Sequence, residues 1–351
     1  MMLEPIAAAL PLPLERLVRD GYLAVQTFFL LSGFVLARSC AETRWNRGSL
    51  VRFGIARVAR IYPVYLVSLA IVSPFIIDAM LSSGRSLTEK SWLLAAYGFV
   101  LQGWTGSMKV GWNTPAWSLS CEFFFYLCFP LLFLWLRNTK RSQMAIAIAL
   151  ALSVPILLEH AKVPPYWKPL HHLADFVMGI AAAQIYGKIV GTWRGKGYWF
   201  YVPAALAGAA FLVHPESLYG TPVDLNTVLR PLNAAALIGF GLGGGWAARA
   251  LAYRAAEYLG KISYSMYILH VPFLWWFNRF ASDRLRNSHN IDGVLLYLAV
   301  VMLASAAAFE WIEMPANRWM RRKGAGIRRA ENPARGPVHE RYELSTRPVL
   351  S

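Results

Sequence analysis

The sequence predicts an all-α fold: a polytopic transmembrane helical bundle of about nine spans plus a short interfacial or re-entrant helix. Three observations carry this expectation. Of the 351 residues, 56% are hydrophobic and only 15% charged, against roughly 25% charged in ordinary soluble domains. Mean hydropathy is +0.39. Apolar runs of about bilayer length recur along the chain, and basic residues collect in alternate connections. Too little polar surface remains to dissolve a globule, and the same composition excludes a disordered chain and a disulfide-stapled scaffold.

Along the chain, residues 1–20 come first. They lack a basic region ahead of an apolar core, so they do not read as a signal peptide, and Pro5, Pro11 and Pro13 limit any helix there. The segment is expected to be extracytoplasmic or truncated. The membrane domain follows over 21–320. Its apolar runs are 22–38, 61–80, 116–136, 144–158, 171–186, 199–213, 231–250, 262–280 and 294–312. A further run, 92–104, holds Gly98, Gln102 and Gly103 and is too short to cross, which makes it interfacial or re-entrant.

Charge placement decides between nine and ten crossings. If 92–104 stays on one side, one face of the membrane receives Arg38, Arg44, Arg47, Arg52, Arg57 and Arg60, then Arg137, Lys140 and Arg141. The same face receives Lys188, Arg194 and Lys196, then Arg249, Arg254 and Lys261, and finally the basic tail. The positive-inside rule makes that face cytoplasmic and the opposite one home to the mixed loops 81–115, 159–170, 214–230 and 281–293. Arg284 and Arg286 are the exceptions outside, partly balanced by Asp283 and Asp292. The tail 321–351 is expected to be a basic, disordered cytoplasmic segment.

The net charge of +16 fits juxtamembrane anchoring beside anionic lipid better than nucleic-acid binding. Cys40, Cys121 and Cys128 lie in or beside apolar runs without ligand spacing, and no metal is expected.

Ionisable groups inside spans are costly, so each needs a partner or a task. Arg57 and Arg60 stand at i,i+3, both on one helix face, and paired guanidiniums suit phosphate oxygens. Juxtamembrane snorkelling is the plainer explanation. Glu122, a few residues into its span, must pair with an arginine or meet a ligand. His270 shares a helix face with Tyr267, and a neutral imidazole there could act as acid or base. His171, His172 and Asp175 open another span, with His171 and Asp175 one turn apart. Glu310 and Glu313 are expected to pair with Arg318 or Arg321 at the interface.

Five runs occur in order: DGYLAVQTFFLLSGFVLARS (20–39), RVARIYPVY (57–65), WSLSCEFFFYLCFP (117–130), SYSMYILHVP (263–272) and IEMP (312–315). Together they resemble the acyltransferase-3 family of bacterial membrane-bound O-acyltransferases. The resemblance implies a bundle of about ten helices and transfer of an acyl group, often acetyl, from cytoplasmic acyl-CoA to a hydroxyl of a cell-envelope or exported glycan or glycolipid. It implies a multi-pass protein of the bacterial cytoplasmic (inner) membrane with a cytoplasmic C-terminus. By position, Arg57 and Arg60 match the family's donor-handling Arg-x-x-Arg pair, and Ser32 and Gly33 its Ser-Gly-Phe motif, also assigned to the donor. Glu122 and His270 match recurrent polar positions and are the catalytic candidates. The family's first helix carries a histidine expected to act as base. No histidine precedes His160 here, so the chain is expected to lack that helix, and His270 becomes the substitute. The alternatives are a non-catalytic or truncated member serving as an envelope-assembly partner, and a transporter of a lipid-linked sugar.

Overall fold

The computed structural model describes residues 24–105, 113–137, 140–193, 201–213, 225–243, 249–281 and 291–331. Residues 1–20, the loop 214–224, most of the loop 281–293 and the tail beyond 331 lie outside them, so the expectations for those segments have no structural counterpart. The described residues form helices α1 (Ala24–Ser39), α2 (Arg47–Ser82), α3 (Leu87–Gly98), α4 (Trp117–Arg137), α5 (Arg141–His160) and α6 (Lys168–Ile189). They continue with α7 (Tyr201–Val213), α8 (Leu225–Gly241), α9 (Arg254–Phe280), α10 (Ile291–Ala308) and α11 (Met314–Glu331). Short 3₁₀ turns occupy Gln102–Trp104 and Thr114–Ala116, and a π-helical turn at Phe309–Glu313 joins α10 to α11.

The fold is all-helical over these residues, and a helix coincides with each predicted apolar run. Four helical stretches are long and apolar enough to cross a bilayer: Arg47–Ser82, Thr114–Arg137, Ser142–His160 and Asp292–Arg322. Shorter apolar helices run over Ala24–Ser39, Tyr201–Ala210 and Val228–Gly241. α6 and α9 are long but carry His171, His172 and Asp175, or Arg254, Glu257 and Lys261, which lower their hydropathy.

α2 is the spine. Its 36 residues span about 54 Å at 1.5 Å per residue, well beyond a hydrocarbon core of about 30 Å. The surplus falls at the arginine-bearing start, with Arg47, Arg52, Arg57 and Arg60. Asn46 starts the helix by a reciprocal cap: its Oδ1 accepts from the Ser49 N–H at 2.8 Å, and the Ser49 Oγ accepts from the Asn46 N–H at 2.7 Å. Parallel to α2 runs α9, since the Tyr264 hydroxyl donates to the Ile61 carbonyl (2.6 Å) and the Trp276 indole N–H to the Ile71 carbonyl (2.7 Å). α4 runs the other way: Phe123 meets Tyr62, Phe129 stacks on Phe53, and Arg137 Nη1 donates to the Thr43 carbonyl at 3.1 Å. Arg137 therefore lies at the same end of the bundle as the 38–47 basic residues, the grouping that the charge pattern requires.

α1 and α6 cross at mutually opposed glycines. A Cβ on Gly33 would overlap the Phe176 carbonyl, and one on Gly179 would overlap the Leu30 carbonyl. Only glycine lets the two backbones come this close. An aromatic core fills the centre, with Phe29, Phe125, Phe129, Phe133 and Phe176 almost wholly buried.

The predicted short run becomes α3 and a buried return. Val100 adopts φ 55°, a strained backbone for a β-branched residue, and its carbonyl is secured by the Ser120 hydroxyl at 2.6 Å. The chain then enters the bundle, burying Gln102 and Gly103. Gln102 Nε2 donates to the Tyr65 hydroxyl, and Ser120 Oγ accepts from the Gly103 N–H. Non-helical backbone is tolerated within a membrane protein only where protein groups satisfy it in this way.

Candidate active site

α2, α4, α9 and the π turn converge on a polar cluster at the arginine-bearing end. Arg57 faces inward, its guanidinium carbon 5.5 Å from the Phe53 ring centre and 5.6 Å from that of Tyr126. Its Nε is buried with no hydrogen-bond partner. Glu122, from α4, is half-buried and accepts from the Tyr126 hydroxyl one turn on, at 2.8 Å. The charges of both Arg57 and Arg60 bear on Glu122, and that of Arg60 also bears on Glu313. Among the described residues, none of these four makes a direct ion pair with another.

Glu313 departs from expectation. The π turn rotates it off the surface face of the helix, where it is buried and accepts from the Ser265 hydroxyl at 2.8 Å. It faces α9 instead of the Arg318–Arg321 stretch. Such single-turn π insertions often re-aim a side chain at a functional site. Tyr264, beside Ser265, ties α9 to α2 at Ile61. The cluster therefore holds two cations and two carboxylates, with the Tyr126 and Tyr264 hydroxyls beside them.

His270 lies on the same helix as Ser265 but deeper. Its Nδ1 is 2.6 Å from the Tyr267 carbonyl. A carbonyl only accepts, so Nδ1 carries the proton and Nε2 keeps a lone pair. Tyr267 in turn donates to the Pro115 carbonyl at 3.1 Å, and Tyr297 donates to the His270 carbonyl at 2.8 Å. Through the α2–α9 register, His270 stands about ten residues beyond Arg57, or about 15 Å along the bundle axis. Asn113 locks this level by donating to both Ser68 Oγ (3.0 Å) and the Ile268 carbonyl (2.7 Å).

Of the residues singled out from sequence, the structure gathers Arg57, Arg60 and Glu122 and sets His270 apart along the same helix pair. Ser32 and Gly33 sit on α1, where Gly33 serves the close α6 crossing. Sequence reasoning missed Tyr126, whose i,i+4 spacing from Glu122 was a usable signal, and Ser265, which had none. A second polar group corrects the expected His171–Asp175 pair. Asp175 instead accepts from His172 Nδ1 (3.2 Å) and from Arg230 Nε (2.6 Å), while His171 Nε2 lies 3.3 Å from the Pro164 carbonyl. Among the described residues, no group of three His, Cys, Asp or Glu side chains could hold a metal.

Comparison with known proteins decides the family. The model of an acyltransferase domain family matches residues 5–310. The chain belongs to this acyltransferase family. It is 29% identical to the acyltransferase MdmB of Streptomyces mycarofaciens over 347 residues, covering 86% of this chain and 82% of that protein. It is 24% identical over 200 residues to nodulation protein 10 of Rhizobium leguminosarum, covering 50% of this chain and 52% of the relative. A Staphylococcus aureus protein named as an O-acetyltransferase is 22% identical over 332 residues, covering 84% of this chain and 52% of that protein. The chain thus spans about half the length of these last two relatives. No solved structure matches significantly. The acyltransferase is, by its family and its apolar helices, a multi-pass membrane protein.

Proposed function

We propose that this acyltransferase moves an acyl group, acetyl in the first instance, from acyl-CoA to a hydroxyl of a cell-envelope or exported glycan. In this reading it sits in the bacterial inner membrane with the basic end of the bundle and the C-terminus in the cytoplasm, as the positive-inside rule requires. The observation that carries the reading is Arg57. A guanidinium held between two aromatic rings, with a buried N–H left unpartnered, is suited to a ligand oxygen. Arg60 and Glu122 complete that donor pocket, Glu122 orienting the arginines. Ser32 and Gly33 lie on α1, where Gly33 meets α6, and their place in the donor site rests on the motif they share with the family.

The chemistry follows from the spacing. The donor enters from the basic end and is held at Arg57 and Arg60. Its flexible pantetheine arm covers the distance to the level of His270, where an acceptor arriving from the opposite face meets the thioester. His270 Nε2 takes the hydroxyl proton while the acceptor oxygen bonds to the acyl carbon. The C–S bond then breaks, and the proton passes to the departing thiolate, giving an ester and free coenzyme A. A name among the relatives, O-acetyltransferase, supports both the acetyl group and the oxygen acceptor.

The test is transfer of radiolabelled acetyl from acetyl-CoA into membrane glycan by cells or vesicles producing Arg57→Ala/Arg60→Ala protein. A loss of about a hundredfold or more is expected for a donor clamp, with insertion unchanged by protease mapping. Full transfer by this variant would overturn the donor assignment.

A further inference from the structure

At the basic end, α1, α4 and α6 part around a cavity of about 280 Å³ that the active-site cluster does not use. Arg38, Arg137, Lys188, Gln184, Phe133 and Gly187 line it. Its two guanidiniums are held in place before any ligand arrives. Arg38 lies over the Tyr186 ring, 4.9 Å from its centre, and passes Gly187, where a Cβ would stand 3.1 Å from Nη1. Arg137 lies 6.0 Å from the Phe133 ring centre and uses one N–H on the Thr43 carbonyl. Each guanidinium has five N–H donors, so both keep donors to spare. Among the described residues, no carboxylate forms an ion pair with Arg38 or Arg137.

The contrast with the active-site cluster is one of charge balance. There, Arg57 and Arg60 face Glu122 and Glu313, two cations against two carboxylates. Around the cavity, the Arg38 and Arg137 guanidiniums have no ion-paired carboxylate among the described residues, and the Lys188 side chain lines the same small volume. Fork-shaped guanidiniums and an ammonium group are the donors that phosphate oxygens take best. We propose that this cavity is a phosphate-binding site at the membrane face. It takes either the phosphomonoester on the donor's adenosine ribose or the headgroup of an anionic phospholipid. The first source rests on the acyl-CoA reading above; the second does not.

The experiment uses the full chain, purified, with Arg38→Gln/Lys188→Gln as the variant, because Arg137 also secures the Thr43 turn. Adenosine 3′,5′-bisphosphate and 5′-AMP are titrated calorimetrically, since they differ in a single phosphate and carry no acyl arm. Wild type is expected to bind the bisphosphate about tenfold more tightly, the worth of one charge-assisted contact, and the variant to lose that preference. The lipid arm compares melting in nanodiscs with and without phosphatidylglycerol. If wild type shows no nucleotide preference but phosphatidylglycerol raises its melting temperature and not the variant's, the phosphate site stands with lipid as its source. A variant that keeps both responses, or a wild type that shows neither, overturns the proposal. Acetyl-CoA binding is measured in parallel: if wild type does not bind it at all, the donor reading falls, and the lipid arm alone judges the cavity.

Discussion

Asp175 is where the bundle is most exposed to a single change. Its side chain and that of Arg230 are 2% and 3% exposed, and the pair is closed at 2.6 Å. Asp175→Ala leaves Arg230 with the Ala151 carbonyl, at 3.2 Å, as its remaining partner among the described residues, and removes the partner of His172 Nδ1. Stranding one charge of a buried pair costs about 3–5 kcal/mol. That lowers the folded-to-unfolded ratio roughly a hundredfold to several thousandfold. Asp175→Asn keeps an oxygen for Arg230 Nε and gives up only the charge, so its cost is about 1–3 kcal/mol. Asp175→Leu/Arg230→Met removes both charges, and its stability should fall within about 1–2 kcal/mol of wild type. The assay is reversible unfolding in mixed micelles with rising sodium dodecyl sulfate, followed by circular dichroism. If the alanine variant lies within about 1 kcal/mol of wild type, or the double variant is no better than the single, the pair does not hold α6 to α8 as argued.

Gly33→Ala and Gly179→Ala should each force α1 from α6 at a cost of about 1–3 kcal/mol. The double variant should cost less than the sum because one separation admits both methyl groups; full additivity in the same unfolding assay would contradict a single crossing point. Glu89, in the non-spanning α3, is held below its ordinary value of 4.5 by the Ser86 backbone N–H and hydroxyl. A lowered carboxylate stabilises above its unfolded pKa and is lost as pH falls through the folded one, so the protection of amides 86–90, measured against their intrinsic exchange rates, should hold through the ordinary carboxylate range and fall only at lower pH. His270→Asn keeps a donor near the position of Nδ1 but offers no base. Acetyl-CoA binding should survive, and transfer should fall about 10²–10⁴-fold; undiminished transfer would remove His270 from the chemistry.

The helices were legible because apolar runs in a membrane protein report burial in lipid directly, and the placement of Arg38 and Arg137 at one end follows from charge alone. Arg57, Arg60 and Glu122 could be singled out because a charge within an apolar run is conspicuous. Their convergence could not, since it depends on α4 running antiparallel to α2. Spacing misled at two places. His171 and Asp175 are one turn apart, yet His172 makes the bond because the His171 ring turns back to Pro164. Glu313 was read on an ideal helix beside Arg318 and Arg321, and the π turn at Phe309–Glu313 shifts it inward to Ser265. No residue type announces that turn. Gly179 and Arg230 looked unexceptional because their roles lie entirely in partners distant along the chain, Leu30 and Asp175.

The separation between Arg57 and His270 is fixed by more than helix geometry. Tyr264 on Ile61 and Trp276 on Ile71 join α2 to α9 at two levels, and Asn113 joins them at a third. Sliding one helix against the other would break all three contacts together, each a buried or half-buried hydrogen bond that would have no water to replace it. The two positions are therefore rigidly spaced, and a ligand held at one must reach the other by its own length. This is a demand that a long, flexible thioester meets and a compact acyl donor does not. If the donor is acyl-CoA, as proposed, arginines near the start of α2 would keep its phosphates toward water while the acyl end reaches inward.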